Sequence, residues 1–235
     1  MNLNRIEAEK FDSIIFFTGA GMSKESNIDT YRGEGGIWNS YNWKEFACQK
    51  AFIKNPLKVQ KFHEARRKEI FDKKPHHGYE IISSLQKKHN NVHILTQNID
   101  GLHRKCRHLN VIELHGSLWH LRCEKTRNIF EDREKWKYKR RKCRCSKYLR
   151  PDIIWFEDNL KKNTLSSAIK LAEKCNLFIS VGTSGLVYPS ASIPSIAKKA
   201  GAFCIEINPE ETELSYLYDH ALRQRATSGL KSLFI

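Results

Sequence analysis

The 235-residue sequence contains no apolar run that approaches the ~18 residues of a transmembrane helix. Its first ten residues, which include Glu7 and Glu9, hold no long apolar segment, and transit peptides avoid acidic residues. No internal repeat or low-complexity segment stands out. A hydrophobic content of 40% is enough for a sizeable core. We therefore expect a cytoplasmic protein without a membrane partner, and a monomer.

Acidic residues are also scarce, since 26 Asp and Glu face 41 Lys and Arg, for a formal net charge of +15. Much of the excess lies between Arg133 and Arg150, where Trp136, Tyr138 and Tyr148 are interleaved with basic residues. Such runs are most often a solvated surface or loop. Binding to nucleic acid stays open, as does attraction to acidic proteins or acidic acyl groups.

Disulfides are not expected, because the seven cysteines occur without a secretory signal. This usage indicates a reducing compartment and free thiols. Cys175 and Cys204 lie in or beside apolar stretches and are most simply core residues.

A glycine-rich turn follows the apolar run Ile14 to Phe17 and leads into a predicted helix. Gly19 and Gly21 carry no Cβ, which allows close approach to a ligand, and a helix N-terminus favours a phosphate. The third glycine of the usual dinucleotide fingerprint is missing, because Lys24 stands there. The turn alone therefore indicates a pyrophosphate site only weakly.

Polar residues follow several further apolar stretches, each a predicted strand. They are Thr96 to His103, Glu113 to Ser117, Gly182 to Ser184, and Ile207 to Glu210. Open α/β sheets bind ligands at the carboxyl ends of their strands. The alternation of strands with helical segments, near 164–175 and 189–200 among others, predicts an α/β fold with a doubly wound parallel, Rossmann-like sheet.

The chain resembles the sirtuin family of NAD-dependent protein deacylases, from about residue 11 to about residue 210. The resemblance rests on ordered motifs: Gly19-Ala20-Gly21-Met22-Ser23, Tyr31-Arg32-Gly33, Thr96-Gln97-Asn98-Ile99-Asp100, His115-Gly116, Arg150 to Phe156, Gly182-Thr183-Ser184 and Ile207-Asn208. It is most similar to the desuccinylase and demalonylase class.

The resemblance implies an NAD-dependent transfer of an acyl group from lysine to ADP-ribose, with release of nicotinamide. His115 matches the catalytic base that activates a ribose hydroxyl, and imidazole suits that task near neutral pH. Asn98 matches the residue that orients the ribose and a water, and Asp100 the residue that binds the nicotinamide carboxamide. These three are the implied catalytic residues.

The resemblance also implies binding residues. Those for NAD are Gly19, Ala20, Gly21, Ser23, Thr30, Tyr31, Arg32, Gln97, Asn98, Ile99, Asp100, Gly182, Thr183, Ser184, Asn208 and Ala226. Those for the acyl-lysine substrate are His63, Arg66, Ile154, Phe156, Gly185 and Val187, of which Ile154 and Phe156 line the lysine tunnel. Asn27, Asp29 and Tyr31 depart from the residues usual in this loop.

His63 and Arg66 are three apart in a predicted helix and so share one face. In the desuccinylase class a tyrosine and an arginine at these positions grip an acidic acyl group. Arg66 matches the arginine, whose fork can bind a carboxylate bidentately, and His63 replaces the tyrosine. His63 could donate one hydrogen bond, and add a charge when protonated. A solvated Arg66 is the plainer alternative.

A structural zinc is usual in the family, held by two Cys-x-x-Cys pairs. Here Thr126 stands where the partner of Cys123 belongs, and Cys143 and Cys145 are one residue too close together. The three cysteines could bind zinc with His120 or another neighbour as the fourth ligand, or they could be the remnant of a lost site.

We expect one catalytic domain over residues 1–235. Its larger, NAD-binding part is predicted from about 11–33, 76–116 and 154–235. The smaller part combines a helical insertion, 34–75, with a cysteine-bearing, zinc-ribbon-like insertion, 117–153.

Two other functions stay open. A sirtuin-like ADP-ribosyltransferase or NAD hydrolase would keep the same cofactor residues and differ in its product. A nucleic-acid-binding module would show a steep salt dependence of binding that His115→Ala leaves unchanged.

Overall fold

The central element of the fold is a six-stranded parallel sheet. A computed structural model describes residues 5–31, 35–134 and 136–235. The strand order is β3-β2-β1-β7-β8-β9. The strands are β1 (Ile14–Thr18), β2 (Val92–Thr96), β3 (Val111–Glu113), β7 (Leu177–Val181), β8 (Phe203–Ile207) and β9 (His220–Leu222). The predicted doubly wound parallel sheet is confirmed.

Side chains of β1 alternate between two separate apolar cores. Ile14 and Phe16 belong to one core, and Ile15 and Phe17 belong to the other, with all four side chains buried. A strand whose two faces are both covered reads as a continuous apolar run, as this one does.

Helices cover both faces of the sheet. On one face lie α6 (His77–Lys88) and α10 (Ala226–Phe234), which pack together. On the other lie α8 (Lys162–Ala172) and α9 (Ile193–Lys199), whose alanines fit closely against the strands. The remaining short helices of this part are α1 (Ala20–Lys24) and α7 (Leu102–Lys105).

The predicted helical insertion contains α2 (Ile37–Ser40), α3 (Trp43–Phe46), α4 (Gln49–Lys54) and α5 (Pro56–Phe71). Asn42 caps α3 by accepting a hydrogen bond from the Lys44 N–H at 3.0 Å. Asn55 caps α5 in the same way, and Pro56 occupies the first helical position, where no N–H is needed.

The cysteine-bearing insertion forms a three-stranded antiparallel sheet in the order β5-β4-β6. Its strands are β4 (Gly116–Cys123), β5 (Ile129–Glu131) and β6 (Leu149–Ile153). Two ion pairs attach this insertion to α5: Arg67 with Asp132 at 2.9 Å, and Glu64 with Arg141 at 2.7 Å. Because Arg67 and Glu64 are buried, these pairs fix the insertion against the helix.

Several element boundaries differ from those expected. The stretch 189–200 is a 3-10 turn at Ser190–Ser192 followed by α9, and α8 ends at Ala172. Strand β9 and helix α10 had no counterpart in the sequence pattern. Within the described residues, no helix is both long and apolar enough to span a membrane. The division into a larger and a smaller subdomain stays a prediction.

Candidate functional site

The central strands end in one row at the carboxyl edge of the sheet. Thr18 at the end of β1 is aligned with Thr96 of β2 and Val181 of β7, and Val181 is aligned with Ile207 of β8. The turns that follow these strands are therefore neighbours, as expected for a ligand site in an open α/β sheet.

Two glycine turns interlock at this edge. The Gly21 N–H donates to the Gly182 carbonyl at 2.8 Å. A Cβ on Gly19 would lie 2.6 Å from that carbonyl oxygen, and a Cβ on Gly21 would lie 2.7 Å from the Gly182 Cα. Both glycines are thus required by the packing of one turn against the other. Gly182 itself has a φ of +59°, which favours glycine.

Three of the residues expected around the cofactor are joined by hydrogen bonds. Gln97 Nε2 donates to Thr183 Oγ1 at 2.8 Å, and Asn208 Nδ2 donates to the Thr183 carbonyl at 3.1 Å. Ser184, next in the chain, is exposed. The turns after β2, β7 and β8 therefore present their polar groups to a common space.

A second, fully buried network surrounds Ser23. Its hydroxyl donates to Asp100 Oδ2 at 2.7 Å and lies 3.1 Å from Asn98 Nδ2, which also donates to the Gly19 carbonyl at 2.8 Å. The Tyr79 hydroxyl lies 3.0 Å from the Ser23 hydroxyl oxygen. Burial raises the pKa of the Asp100 carboxyl. The network holds the side chains of Asn98 and Asp100 in one orientation.

A small cavity lies beside this network. Tyr31 lines it, and burial raises the pKa of the Tyr31 phenol. The other lining residues are Ala20, Ser23, Ile28, Asp29, Ile70, Asn98, Ile99 and Asp100. The cavity thus brings together many of the residues expected to bind NAD. Arg32, also expected there, lies outside the described residues.

His115 lies just beyond β3 with its ring half-enclosed. Its Nδ1 is 2.9 Å from the Gln97 carbonyl, which can only accept, so the proton is on Nδ1. Its Nε2 lies 3.3 Å from Ser190 Oγ. Burial lowers the pKa of the imidazole, although the bond to Gln97 opposes that shift. The ring is therefore neutral near pH 7, with a basic Nε2 lone pair.

One of the residues expected to contact substrate is bonded directly to the backbone of His115. The Ile154 N–H donates to the His115 carbonyl at 2.9 Å, and the Phe156 ring packs edge-on against Trp38 at 5.4 Å. Gly185 has a φ of +71°, and Val187 is half-buried. The end of β6 bonds the backbone of His115 through Ile154, and the loop after β7 reaches its ring through Ser190.

Two other residues expected to bind NAD lie at the start of α10 and in the loop before α2. Ala226 is the buried first residue of α10. Thr30 accepts a backbone hydrogen bond from Ile37 at 3.2 Å. Ser190, buried against His115, was not expected, because nothing in its sequence surroundings distinguishes it from other loop serines.

His63 does not have the environment expected for it. The Trp155 Nε1–H donates to its Nε2 at 3.2 Å, the two rings lie side by side at 16° with centroids 5.9 Å apart, and its other nitrogen bonds the Phe46 backbone. Burial lowers the pKa of His63 to about 3. Both ring nitrogens are already hydrogen-bonded and the ring stays neutral. The additional positive charge expected of His63 is therefore absent.

Arg66, by contrast, is a cation whose charge acts on Tyr31, a residue that lines the cavity. Its guanidinium pairs with Glu69 one helical turn on, and its side chain is 13% exposed. The charge of Arg66 opposes the rise in the pKa of Tyr31. It also adds to the fall in the pKa of His63. Of the pair on α5, Arg66 alone could bind an anion.

Cys123, Cys143 and Cys145 form a group that could hold a metal ion, the one found in the described part of the chain, with all three sulfurs within 4.8 Å of one another. A tetrahedral zinc with bonds of about 2.3 Å requires sulfurs about 3.8 Å apart, and Cys123 and Cys145 are 3.5 Å apart. The donor set thus fits zinc. His120 does not complete it, because it faces Glu131 and lines a separate cavity with Asp152.

Comparisons with known proteins agree with this geometry. The profile of the Sir2 family matches residues 19–189. An NAD-dependent protein deacylase of Aquifex aeolicus (strain VF5) is 38% identical over 229 residues, covering 94% of each chain. One of Pyrococcus abyssi (strain GE5 / Orsay) is 41% identical over 219 residues, covering 90% of this chain and 88% of its own.

Solved structures give the same result. A mutant Sir2 homologue in complex with ADP-ribose has a TM-score of 0.89 and 37% identity, covering 94% of this chain and 90% of that one. A Sir2 homologue in complex with NAD has a TM-score of 0.86 and 36% identity, covering 97% and 92%. With the polar row of strand ends and the enclosed histidine, these matches show that the chain belongs to the Sir2 family of NAD-dependent protein deacylases.

Proposed function

We propose that this protein removes acyl groups from lysine side chains of proteins and favours acidic acyl groups such as succinyl and malonyl. The observation that carries the reaction class is the neutral His115 ring, whose Nε2 lone pair lies among the polar groups of the strand ends. When bound, NAD supplies the ADP-ribose that accepts the acyl group as nicotinamide leaves.

His115 acts as the general base in this proposal. Its Nδ1 proton is held by the Gln97 carbonyl, which leaves Nε2 to take a proton from a hydroxyl brought within reach. The imidazolium that forms keeps its bond to the same carbonyl. The lowered pKa favours the unprotonated ring at the start of each cycle.

The buried polar networks would hold the cofactor. Gln97, Thr183 and Asn208 provide donors and acceptors for ribose and phosphate groups, and the glycine turns keep side chains away from that space. Asn98 and Asp100, fixed by Ser23, provide an amide and a carboxyl suited to a carboxamide and a hydroxyl.

The substrate would lie between the end of β6 and the loop after β7. Ile154 and Phe156 offer an apolar wall for a lysine stem, and Phe156 is supported by Trp38 and by Trp43 at 4.6 Å. We expect the backbone from Gly185 to Val187 to hydrogen-bond with an extended peptide.

The preference for acidic acyl groups rests on Arg66. Its positive charge acts on the phenol of Tyr31, which lines the cavity, and a charge-assisted bond to a carboxylate contributes about 1.5–3 kcal/mol. His63 takes no part in this contact, since its two nitrogens are already bonded. Glu69 would release Arg66 when the acyl carboxylate binds.

A panel of acetyl-, succinyl- and long-chain-acyl-lysine peptides, incubated with and without NAD and analysed by mass spectrometry, tests reaction class and preference together. For Arg66→Met we expect a loss of roughly 10- to 100-fold on the succinyl peptide and little change on the acetyl peptide. Lys61→Met, at an exposed position on the same helix, is the matched control.

The products separate the proposal from its alternative. Acyl-ADP-ribose supports deacylation, whereas free or protein-linked ADP-ribose without loss of the acyl group would indicate an NAD hydrolase or ADP-ribosyltransferase. Equal losses of Arg66→Met on both peptides would refute the acidic preference alone. The cytoplasmic location, the monomeric state and nucleic-acid binding by the basic segment stay predictions.

A further inference from the structure

The cysteine cluster has an open side. Thr126 stands there, with its N–H donating to Cys123 Sγ at 3.5 Å and its hydroxyl 4.0 Å from Cys143 Sγ. Cys123 and Cys143 are buried, whereas Cys145 is half-buried and Thr126 is exposed. The cluster therefore reaches solvent on the side of Cys145 and Thr126, where Thr126 supplies only a neutral hydroxyl.

A neutral alcohol is a poor substitute for a fourth zinc ligand. Zinc sites in proteins use thiolate, imidazole or carboxylate, and sites with three protein ligands leave the fourth position to water or an outside molecule. Among the residues that the structure describes, no further histidine, cysteine or carboxylate joins the group. His120, on β4, belongs to a different cavity.

The charge around the cluster selects the kind of outside ligand. Three thiolates give a zinc(II) centre a net negative charge, which would ordinarily disfavour a further anion. Here the ligands are interleaved with exposed cations, namely Lys125, Arg127, Lys142, Arg144 and Lys147. Their positive field lowers the cost of a fourth negative ligand.

We propose that the metal at Cys123, Cys143 and Cys145 is held by three thiolates, and that its fourth position beside Thr126 is an exchangeable site for an external thiolate. The thiolate could belong to a free small thiol or to a cysteine of a second copy of the chain. The metal site takes no part in the deacylation reaction, so this inference does not depend on the proposed function.

Cobalt(II) replaces zinc in such sites and reports its ligands through absorption. Sulfur-to-cobalt charge-transfer absorption grows with the number of thiolates. We expect saturating 2-mercaptoethanol to raise that absorption by about one third in the wild type, as three cobalt–sulfur bonds become four. Thr126→Cys should start at the higher level and not respond to the thiol.

Thr126→Val, which removes only the hydroxyl, is the matched control and should behave as the wild type. A rise in absorption with protein concentration, before thiol is added, would identify the second copy as the thiolate source. A rise that needs 2-mercaptoethanol at every protein concentration would identify the free thiol. Either result supports the open site.

Competition with a chelator gives a second measurement that does not use activity. Thr126→Cys should release zinc at least about tenfold more slowly than the wild type, because it supplies a fourth thiolate. The inference is overturned if the wild type takes up no cobalt, fails to respond to the thiol or loses its metal to it, or if Thr126→Val changes the cobalt spectrum before thiol is added.

Discussion

The tautomer of His115 determines how the activity of the protein should depend on pH. The Gln97 carbonyl fixes the proton on Nδ1, and burial lowers the pKa, so the base is the neutral ring. Activity should therefore fall as pH drops through a pKa below the ordinary value of about 6.5. His115→Ala should lower kcat by roughly 10²- to 10⁴-fold.

Nicotinamide release and acyl transfer, measured between pH 5 and 8, check this prediction. His77→Ala, at an exposed histidine on α6, serves as the control and should keep both the rate and the profile. A kcat for His115→Ala within a few-fold of the wild type would contradict the role as base. An acidic limb centred above pH 6.5 would contradict the lowered pKa.

The residue types after the strands predicted the common edge of the sheet, but they did not predict how deeply each side chain is buried. Polar residues after the strands indicated the common edge, because parallel strands end together. For His63 and Arg66 the spacing showed only that they share a face of α5. It could not reveal that Trp155, 92 positions away, would bond the histidine.

At the scale of elements, the junction between the turn after β1 and the turn after β7 should tolerate no added atom. A Cβ on Gly21 would lie 2.7 Å from the Gly182 Cα and 2.9 Å from its carbonyl oxygen, and backbone atoms cannot rotate away. Alanine would otherwise favour helix α1 by about 1 kcal/mol, but the overlap should outweigh this gain. Gly21→Ala should lower the free energy of unfolding by about 1–3 kcal/mol.

Urea unfolding measures that loss, and Gly201→Ala is an informative comparison. Gly201 has a φ of +94° but nothing within 4 Å of the added Cβ, so its alanine variant reports conformational strain without overlap. Wild-type stability in Gly21→Ala would mean that the two turns can separate, and that the glycine is there for another reason.

Strands and helices were predictable where their pattern of apolar residues was regular. Strand β1 is buried throughout and reads as an apolar run, whereas the register of β4 shifts between Gly116 and Leu121, which disrupts the alternation of buried positions. The insertion 117–153 therefore read as irregular although it contains a sheet. Strand β9 has three residues at the sheet edge and no fully buried side chain, too little for a pattern.

At the scale of the whole molecule, neutral buried histidines should make the fold sensitive to acid. Burial lowers the pKa of His63 to about 3 and that of His103 well below its ordinary value. Below pH 6.5 the unfolded chain binds protons that the folded chain does not, so the free energy of unfolding falls as pH falls. The raised pKa values of Asp100 and Glu113 act in the opposite direction.

His63 alone should remove about 2 kcal/mol of stability between pH 7 and pH 5, and its contribution should keep falling until the pH nears 3. Urea unfolding at pH 7 and pH 5 measures the difference, which His63→Gln should reduce by that amount because glutamine does not titrate. The control is His77→Gln, at an exposed histidine beside Glu80, which should leave the difference between the two pH values unchanged. If His63→Gln keeps the wild-type difference between the two pH values, the ring is not held neutral by burial beside Trp155, and Nε2 would again be available to a ligand.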